Sequence, residues 1–305
     1  MTFNVLIHSS AHYYKYYVAA FLFTHFTGVQ VYEENTLPAN TFVHCIFIYM
    51  KTLDELRPHL KPHTRVVFIT GESHDIHLPF IHLVLDCKRT TADSRYLYLP
   101  FYVQCLCERF AHPRDVLLPP NFDAKSVMAK KTKFCAFMYS NPVEFRDRFF
   151  HTLARSYKPA DALGSCCSNK QRGETSRMLY IPTVKTYLED AVEKYQPYKF
   201  VIAIENQRTN GYITEKLMNP TLARAVPIYL GAPDIFSDGA FNRKAIIHIA
   251  DFASYEDCVA HIKKVDETPE LYQQYLSEPL FTNNQLPGYF NSDYILKSFL
   301  HVFGL

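Results

Sequence analysis

The chain has 305 residues, of which 48% are hydrophobic and 20% charged, and a formal net charge of +2. Domains cluster at roughly 100–150 residues, so this length suits two of them, and the composition can bury a sizeable core without covalent staples. The near-neutral charge excludes a dedicated nucleic-acid binder, which would carry a clustered basic stripe, and the densest basic run, Lys130-Lys131-Thr132-Lys133, reads as a short solvated linker.

Short apolar runs alternate with longer amphipathic stretches along the chain. Phe3–Ile7 predicts a strand, His12–Thr27 a helix, Gly28–Tyr32 and Thr41–Tyr49 strands, and Leu53–Leu60 a short helix. Arg65–Thr70 and Ile81–Leu85 follow as strands, and Cys105 and Cys107 alternate as they would in another. The Pro-containing stretch His112–Lys133 lacks periodicity and reads as an interdomain linker. A second alternating series then begins: strand Phe134–Tyr139, helix Val143–Tyr157, strand Ala160–Leu163, helix Thr183–Lys194 and the strongly apolar strand Lys199–Ile204. Helix Ile213–Ala225, strands Val226–Leu230 and Ala245–Ile249, helix Tyr255–Val265 and a closing helix Asp293–Phe303 complete it. Strands alternating with helices imply βαβ units and a mostly parallel sheet in each half. The expected domains are 1–120 and 121–285, followed by the closing helix in 286–305.

Eight cysteines are present, none at C-x-x-C spacing, so no structural zinc site is implied, and their apolar settings suit reduced thiols. No uninterrupted apolar run reaches membrane-spanning length. The expectation is a protein that is neither secreted nor membrane-spanning, in the cytoplasm of a bacterium or of a virus-infected host cell.

The segment Tyr198–Pro233 carries the chemistry. In open parallel sheets ligands bind beyond the carboxyl ends of strands, and strand Lys199–Ile204 is followed there by Glu205, Asn206 and a loop. A helix expected to start at Tyr212–Thr214 would present its free N–H groups to an anion, with Lys216 adding a full charge suited to a diphosphate. Read as helical, Tyr212, Glu215, Lys216 and Asn219 share one face. Residue types alone leave this open, because Thr-Glu-Lys also begins ordinary capped helices. Walker and dinucleotide fingerprints are absent, and so is any D-x-D that would hold a divalent metal on a sugar diphosphate.

The gapped pattern Tyr198-Lys199-Phe200, Glu205-Asn206, five residues, Tyr212-Ile213-Thr214-Glu215-Lys216, then Ala225–Pro233 resembles the signature of α-1,3/1,4-fucosyltransferases of the bacterial type. Weaker resemblances lie at Val66–Ser73, Arg95–Tyr102, Phe137–Phe150 and Ala160–Cys166.

The resemblance implies an α/β fold of the GT-B type, two Rossmann-like doubly wound domains facing across a cleft. It implies inverting, metal-independent transfer of L-fucose from GDP-β-L-fucose to a hydroxyl of a glycan acceptor, with O3 of GlcNAc in a lactosamine-type acceptor as the expected target and no cofactor. Carried over by position, Glu72 is the general base, Arg146 and Lys216 hold the diphosphate, Glu215 takes sugar hydroxyls, and Asn206 and Tyr212 line the donor pocket with Glu205 and Gly164. His74 and His77 read as incidental loop residues. Transfer of another GDP-linked sugar, or non-catalytic nucleotide-sugar binding, are the alternatives.

Overall fold

The computed structural model describes residues 3–8, 12–48, 56, 59–72, 80–89, 93–107, 113–169 and 187–304. Most of the expected helix Leu53–Leu60, the start of Thr183–Lys194, and both His74 and His77 lie outside the described residues. The chain forms two compact units: one comprises Met1–Phe110, Thr209–Tyr212 and Pro287–Leu305, the other Ala111–Arg208 and Ile213–Leu286.

The first unit is built on a parallel sheet of β1 (Phe3–His8), β2 (Val29–Tyr32), β3 (His44–Ile48), β4 (Val66–Ile69), β5 (Leu83–Asp86) and β6 (Tyr96–Tyr98), in spatial order β2-β1-β3-β4-β5-β6. Helix α1 (His12–His25) connects β1 to β2. Apolar side chains cover both faces of a parallel sheet, and all four residues of β4 are buried accordingly. Leu6, Cys45, Val66, Phe68 and Val84 form a continuous core. The paired cysteines Cys105 and Cys107 lie in a helix, α2 (Phe101–Cys107), and not in a strand. Pro100 opens that helix by accepting from the Val103 N–H at 3.0 Å, and two apolar residues at i and i+2 are too few to distinguish the two periodicities. The C-terminal helix Ser292–Phe303 belongs to this unit, with Phe299 against the Phe21 ring and Phe303 against His44.

The second unit has a parallel sheet in the order β11-β10-β9-β7-β8, from β7 (Lys133–Phe137), β8 (Asp161–Ala162), β9 (Tyr198–Ile204), β10 (Val226–Leu230) and β11 (Ile247–His248). Its helices are α3 (Ala124–Ala129), α4 (Glu144–Ser156), α5 (Tyr187–Tyr195), α6 (Glu215–Leu222), α7 (Tyr255–Glu267) and α8 (Pro269–Ser277). Side chains alternate along β9: Phe200, Ile202 and Ile204 enter the core under α4 and α7, while Val201 faces the one under α5 and α6. Each such buried aliphatic or aromatic side chain contributes roughly 1.5–3 kcal/mol.

The expected linker His112–Lys133 is partly structured: it holds the 3-10 turn Pro113–Val116 and α3, capped by Asp123 accepting from the Lys125 N–H. Lys131 within it is buried, not solvated. Its Nζ donates to Gln196 O at 2.7 Å and Ala223 O at 2.6 Å, so one cation caps the carboxyl ends of α5 and α6. Burial and the neighbouring Arg224 guanidinium push its pKa down to about 8.

Arg224 ends α6 in the left-handed region, φ 55°. Ala225 N donates to Pro220 O and Arg224 N to Thr221 O, a Schellman closure normally given to glycine. Arg224 is held there because its guanidinium donates to the carbonyls of Asp115, Val116 and Leu117. Among the described residues, no helix is long and apolar enough to cross a membrane.

Candidate functional site

In the second unit the site residues gather at the carboxyl end of β9. Glu205 continues that strand, its N–H donating to Leu230 O at 2.8 Å, and its side chain is fully buried. Its carboxylate accepts from Thr214 N at 2.8 Å and from Thr214 Oγ1 at 3.0 and 2.8 Å. Gly231 makes room for it: a Cβ there would lie 2.6 Å from Glu205 Cγ. Thr214 is in turn the N-cap of α6, accepting from the Lys216 N–H. The buried strand-end acid therefore anchors the helix cap.

That cap corrects the helix reading. The helix begins at Glu215, with Thr214 extended before it, so Tyr212 is not on a shared face with Glu215 and Lys216. Tyr212 lies in a turn instead, its N–H donating to Thr209 O behind Gly211 at φ 76°.

Lys216 Nζ sits 3.1 Å from Glu215 Oε1, 3.2 Å from Thr214 Oγ1 and 3.5 Å from Glu205 Oε2. Burial alone would weaken its protonation, but the two carboxylates raise its pKa above the ordinary lysine value. Burial likewise opposes charge on Glu215, and Lys216 beside it holds that carboxyl below its usual range. Glu205 moves the other way: its complete burial raises its pKa despite Lys216. The two carboxylates thus favour the cationic lysine, whose side chain is 21% exposed.

Arg146, from α4, is buried. Its Nε donates to Ile204 O at 3.1 Å, its Nη1 to Asn141 O at 3.3 Å, and its guanidinium lies 3.8 Å over the Tyr139 ring. Its Nη2 is buried with no hydrogen-bond partner, and so is Asn206 Oδ1 at the same end of β9. A buried guanidinium nitrogen left unmatched is costly, and an anion is the kind of group that could match it.

Tyr139 is the residue that sequence reasoning missed. Its hydroxyl donates to Ile202 O at 2.7 Å and accepts from Ile204 N at 2.8 Å, which closes the end of β9 while its ring supports Arg146. Burial raises its pKa to about 12, against the pull of the nearby Arg146 and Lys216 cations. The signal available was its place two residues past β7 and seven before Arg146. Gly164 has a packing reason as well: a Cβ there would come within 2.1 Å of Tyr139 O.

In the first unit, Glu72 is half-buried just past β4. Thr70 Oγ1 accepts from Glu72 N at 3.1 Å and donates to Glu72 O at 2.8 Å, so one hydroxyl holds the turn. The Tyr212 hydroxyl donates to Glu72 Oε2 at 3.2 Å. The Cys87 thiol nearby is pushed well up by burial and by the Asp86 and Glu72 carboxylates.

Known proteins resemble the chain in sequence and in fold. Residues 128–278 match the model for the glycosyltransferase family 10 (fucosyltransferase) C-terminal domain. A protein of Acanthamoeba polyphaga mimivirus named as a fucosyltransferase is 34% identical over 225 residues, 73% of this chain and 35% of the relative. GDP-fucose protein O-fucosyltransferase 3 of Xenopus laevis is 30% identical over 200 residues, 64% of this chain and 41% of the relative. The chain thus spans less than half the length of these curated relatives. A crystal structure of an α1,3-fucosyltransferase shares the fold with a TM-score of 0.74 at 21% identity, over 100% of this chain and 90% of that one. The same enzyme type with GDP-fucose gives a TM-score of 0.72. Two Rossmann-like parallel sheets, a GT-B fold and the matched domain lead to one assignment: the chain belongs to the fucosyltransferases of glycosyltransferase family 10.

Proposed function

We propose that the chain transfers L-fucose from GDP-β-L-fucose to a glycan hydroxyl with inversion, the target being O3 of GlcNAc in a lactosamine-type acceptor. The observation that carries the reading is the buried, unmatched Nη2 of Arg146 beside the capped N-terminus of α6, where Lys216 stays cationic. A nucleoside diphosphate supplies the anion this arrangement lacks. Arg146 and Lys216 would neutralise the charge that grows on the diphosphate as the C1–O bond breaks, an effect worth about 2.7–4 kcal/mol for each donor. Asn206 would present its unmatched Oδ1 to donor hydroxyls, and Glu215, held ionised by Lys216, would accept from them. Glu72 would take the proton of the acceptor hydroxyl as that oxygen bonds to C1.

In this proposal neutralisation by fixed cations replaces a divalent metal, so a rate that falls with EDTA and returns with Mg²⁺ would contradict it. Free thiols at Cys45, Cys87, Cys135, Cys166, Cys167 and Cys258 support a reducing, cytoplasmic location. A second acceptor class has a specific basis, since the Xenopus laevis relative is named for transfer to protein. The test is a GDP-fucose transfer assay over lactosamine-type, GlcNAc and peptide acceptors, with the product linkage read by NMR. Transfer to peptide alone would replace the glycan reading, and donor binding without any transfer would favour a non-catalytic protein.

A further inference from the structure

In the first unit, two histidine side chains complete the hydrogen bonding at the amino end of β4. Arg65 and Val66 begin that strand and face opposite neighbours. Arg65 O accepts from Cys45 N at 2.9 Å, and Arg65 N donates to His44 Nδ1 at 3.1 Å, both partners lying on β3. Val66 O accepts from His82 N at 2.9 Å, and Val66 N donates to His82 Nδ1 at 3.1 Å, just ahead of β5. In each case an imidazole nitrogen stands where a strand carbonyl accepts in a regular parallel ladder. A main-chain N–H can only donate, so each Nδ1 must carry no proton and each imidazole must be neutral. Both histidines are half-buried. The His44 ring also packs against Phe42 and against Phe303 of the closing helix Ser292–Phe303, with centroids 5.2 Å away in both cases.

The surroundings favour the same neutral state. Burial first, then the Arg65 guanidinium and His82, hold His44 below the usual histidine range. Burial, Arg65 and Arg95 do the same for His82, while the Phe80 carbonyl pulls the other way. Arg95 is itself bound to Asp93, its Nε donating to Oδ2 at 2.9 Å. We infer that His44 and His82 form an acid-sensitive latch on β4: protonation of either ring takes the acceptor from a main-chain N–H and loosens the join of β4 to β3 or to β5. The sign follows from the depressed values. Such a histidine stabilises the fold fully above its unfolded pKa, about 6.5, and that stability is lost as the pH falls through the lower folded value. Because the two N–H groups belong to adjacent residues of one strand, the loss falls on a single point of the sheet. The latch lies wholly within the first unit.

The experiment is hydrogen exchange of the full chain read by mass spectrometry between pH 7.5 and 5.5, corrected for the intrinsic pH dependence of exchange. The wild type is compared with the double variant His44→Asn, His82→Asn, in which an amide Oδ1 takes the place of each Nδ1 and does not titrate. In the wild type, protection of peptides containing Arg65 and Val66 is expected to fall about 10-fold for each pH unit below the folded pKa of a single linked proton. Protection of Lys199–Ile204 in the second unit is expected to hold over the same range. In the double variant, protection around Arg65 and Val66 is expected to stay level. Equal acid loss in the wild type and the double variant would overturn the inference, and so would undiminished protection of the wild type at pH 5.5. A second measurement does not depend on the variant folding: imidazole nitrogen shifts of the wild type by NMR, assigned with the single substitutions. Both Nδ1 atoms are expected to be unprotonated at pH 7, with titration midpoints below 6.5. A protonated Nδ1 at pH 7, or a midpoint at or above 6.5 for both rings, would also overturn it.

Discussion

Arg146 and Tyr139 form the smallest unit on which the account depends. The arginine is pinned by its Nε to Ile204 O and stacked on the tyrosine, which leaves the buried Nη2 as its unmatched donor. A lysine cannot reproduce a planar fork that is both anchored and stacked. Arg146→Lys is therefore expected to lower turnover nearly as far as Arg146→Ala, about 100-fold or more. Near-normal kcat in either variant would remove Arg146 from the site. Tyr139→Phe keeps the stacking ring but strips partners from the buried Ile202 carbonyl and Ile204 N–H. It should cost about 1–3 kcal/mol of stability, read as a lower urea midpoint. Arg146 came forward through the resemblance of its segment, Phe137–Phe150, to the fucosyltransferases. Tyr139 did not, because a tyrosine following an apolar strand is indistinguishable from core filling until its hydroxyl is seen between two backbone groups.

At the scale of elements, strands and most helices were legible because parallel strands are uniformly apolar and the helices amphipathic. The α6 start was displaced, since the pattern from Tyr212 to Asn219 fits a helical face, and only the bond from Thr214 to the buried Glu205 shows where helical geometry begins. Lys131 misled for a related reason: its charge suggested solvent, while the carbonyls at two helix ends, distant in sequence, provide for its burial. Asp266 on α7 shows the same kind of long-range tie. Its carboxylate accepts from Lys199 Nζ at 2.6 Å, Lys158 Nζ at 2.8 Å and the Tyr157 hydroxyl at 2.7 Å, which joins α7 to β9 and to the end of α4. Burial opposes its charge, yet bonds from Lys158, Lys199 and Tyr157 hold its pKa below the usual carboxylate range. A depressed acid stabilises the fold above its unfolded pKa, about 3.9, and that stability is lost as the pH falls through the folded value. Asp266→Asn should then be less stable than the wild type at pH 7 by about 1–3 kcal/mol. Denaturation at a series of pH values should show the gap closing below about pH 4. A gap independent of pH would assign the loss to packing instead.

For the whole molecule, two βα series separated by a Pro-containing stretch were enough to anticipate two parallel sheets, and the structure has them. The return of the C-terminal helix to the first unit was not legible, because it depends on Phe299 and Phe303 meeting Phe21 and His44 from the other end of the chain. A ligand that binds only the folded chain stabilises it by about 2.7 kcal/mol at 100 times its Kd. GDP at that concentration is expected to raise the melting temperature of the wild type and to leave Arg146→Ala unmoved; an equal rise in both would place GDP elsewhere. The most direct test of the central claim is a side-by-side transfer assay with GDP-fucose and GDP-mannose on a lactosamine-type acceptor. A fucosylated product is expected from the first donor and none from the second. Transfer of mannose, or no transfer from either donor despite GDP binding, would contradict it.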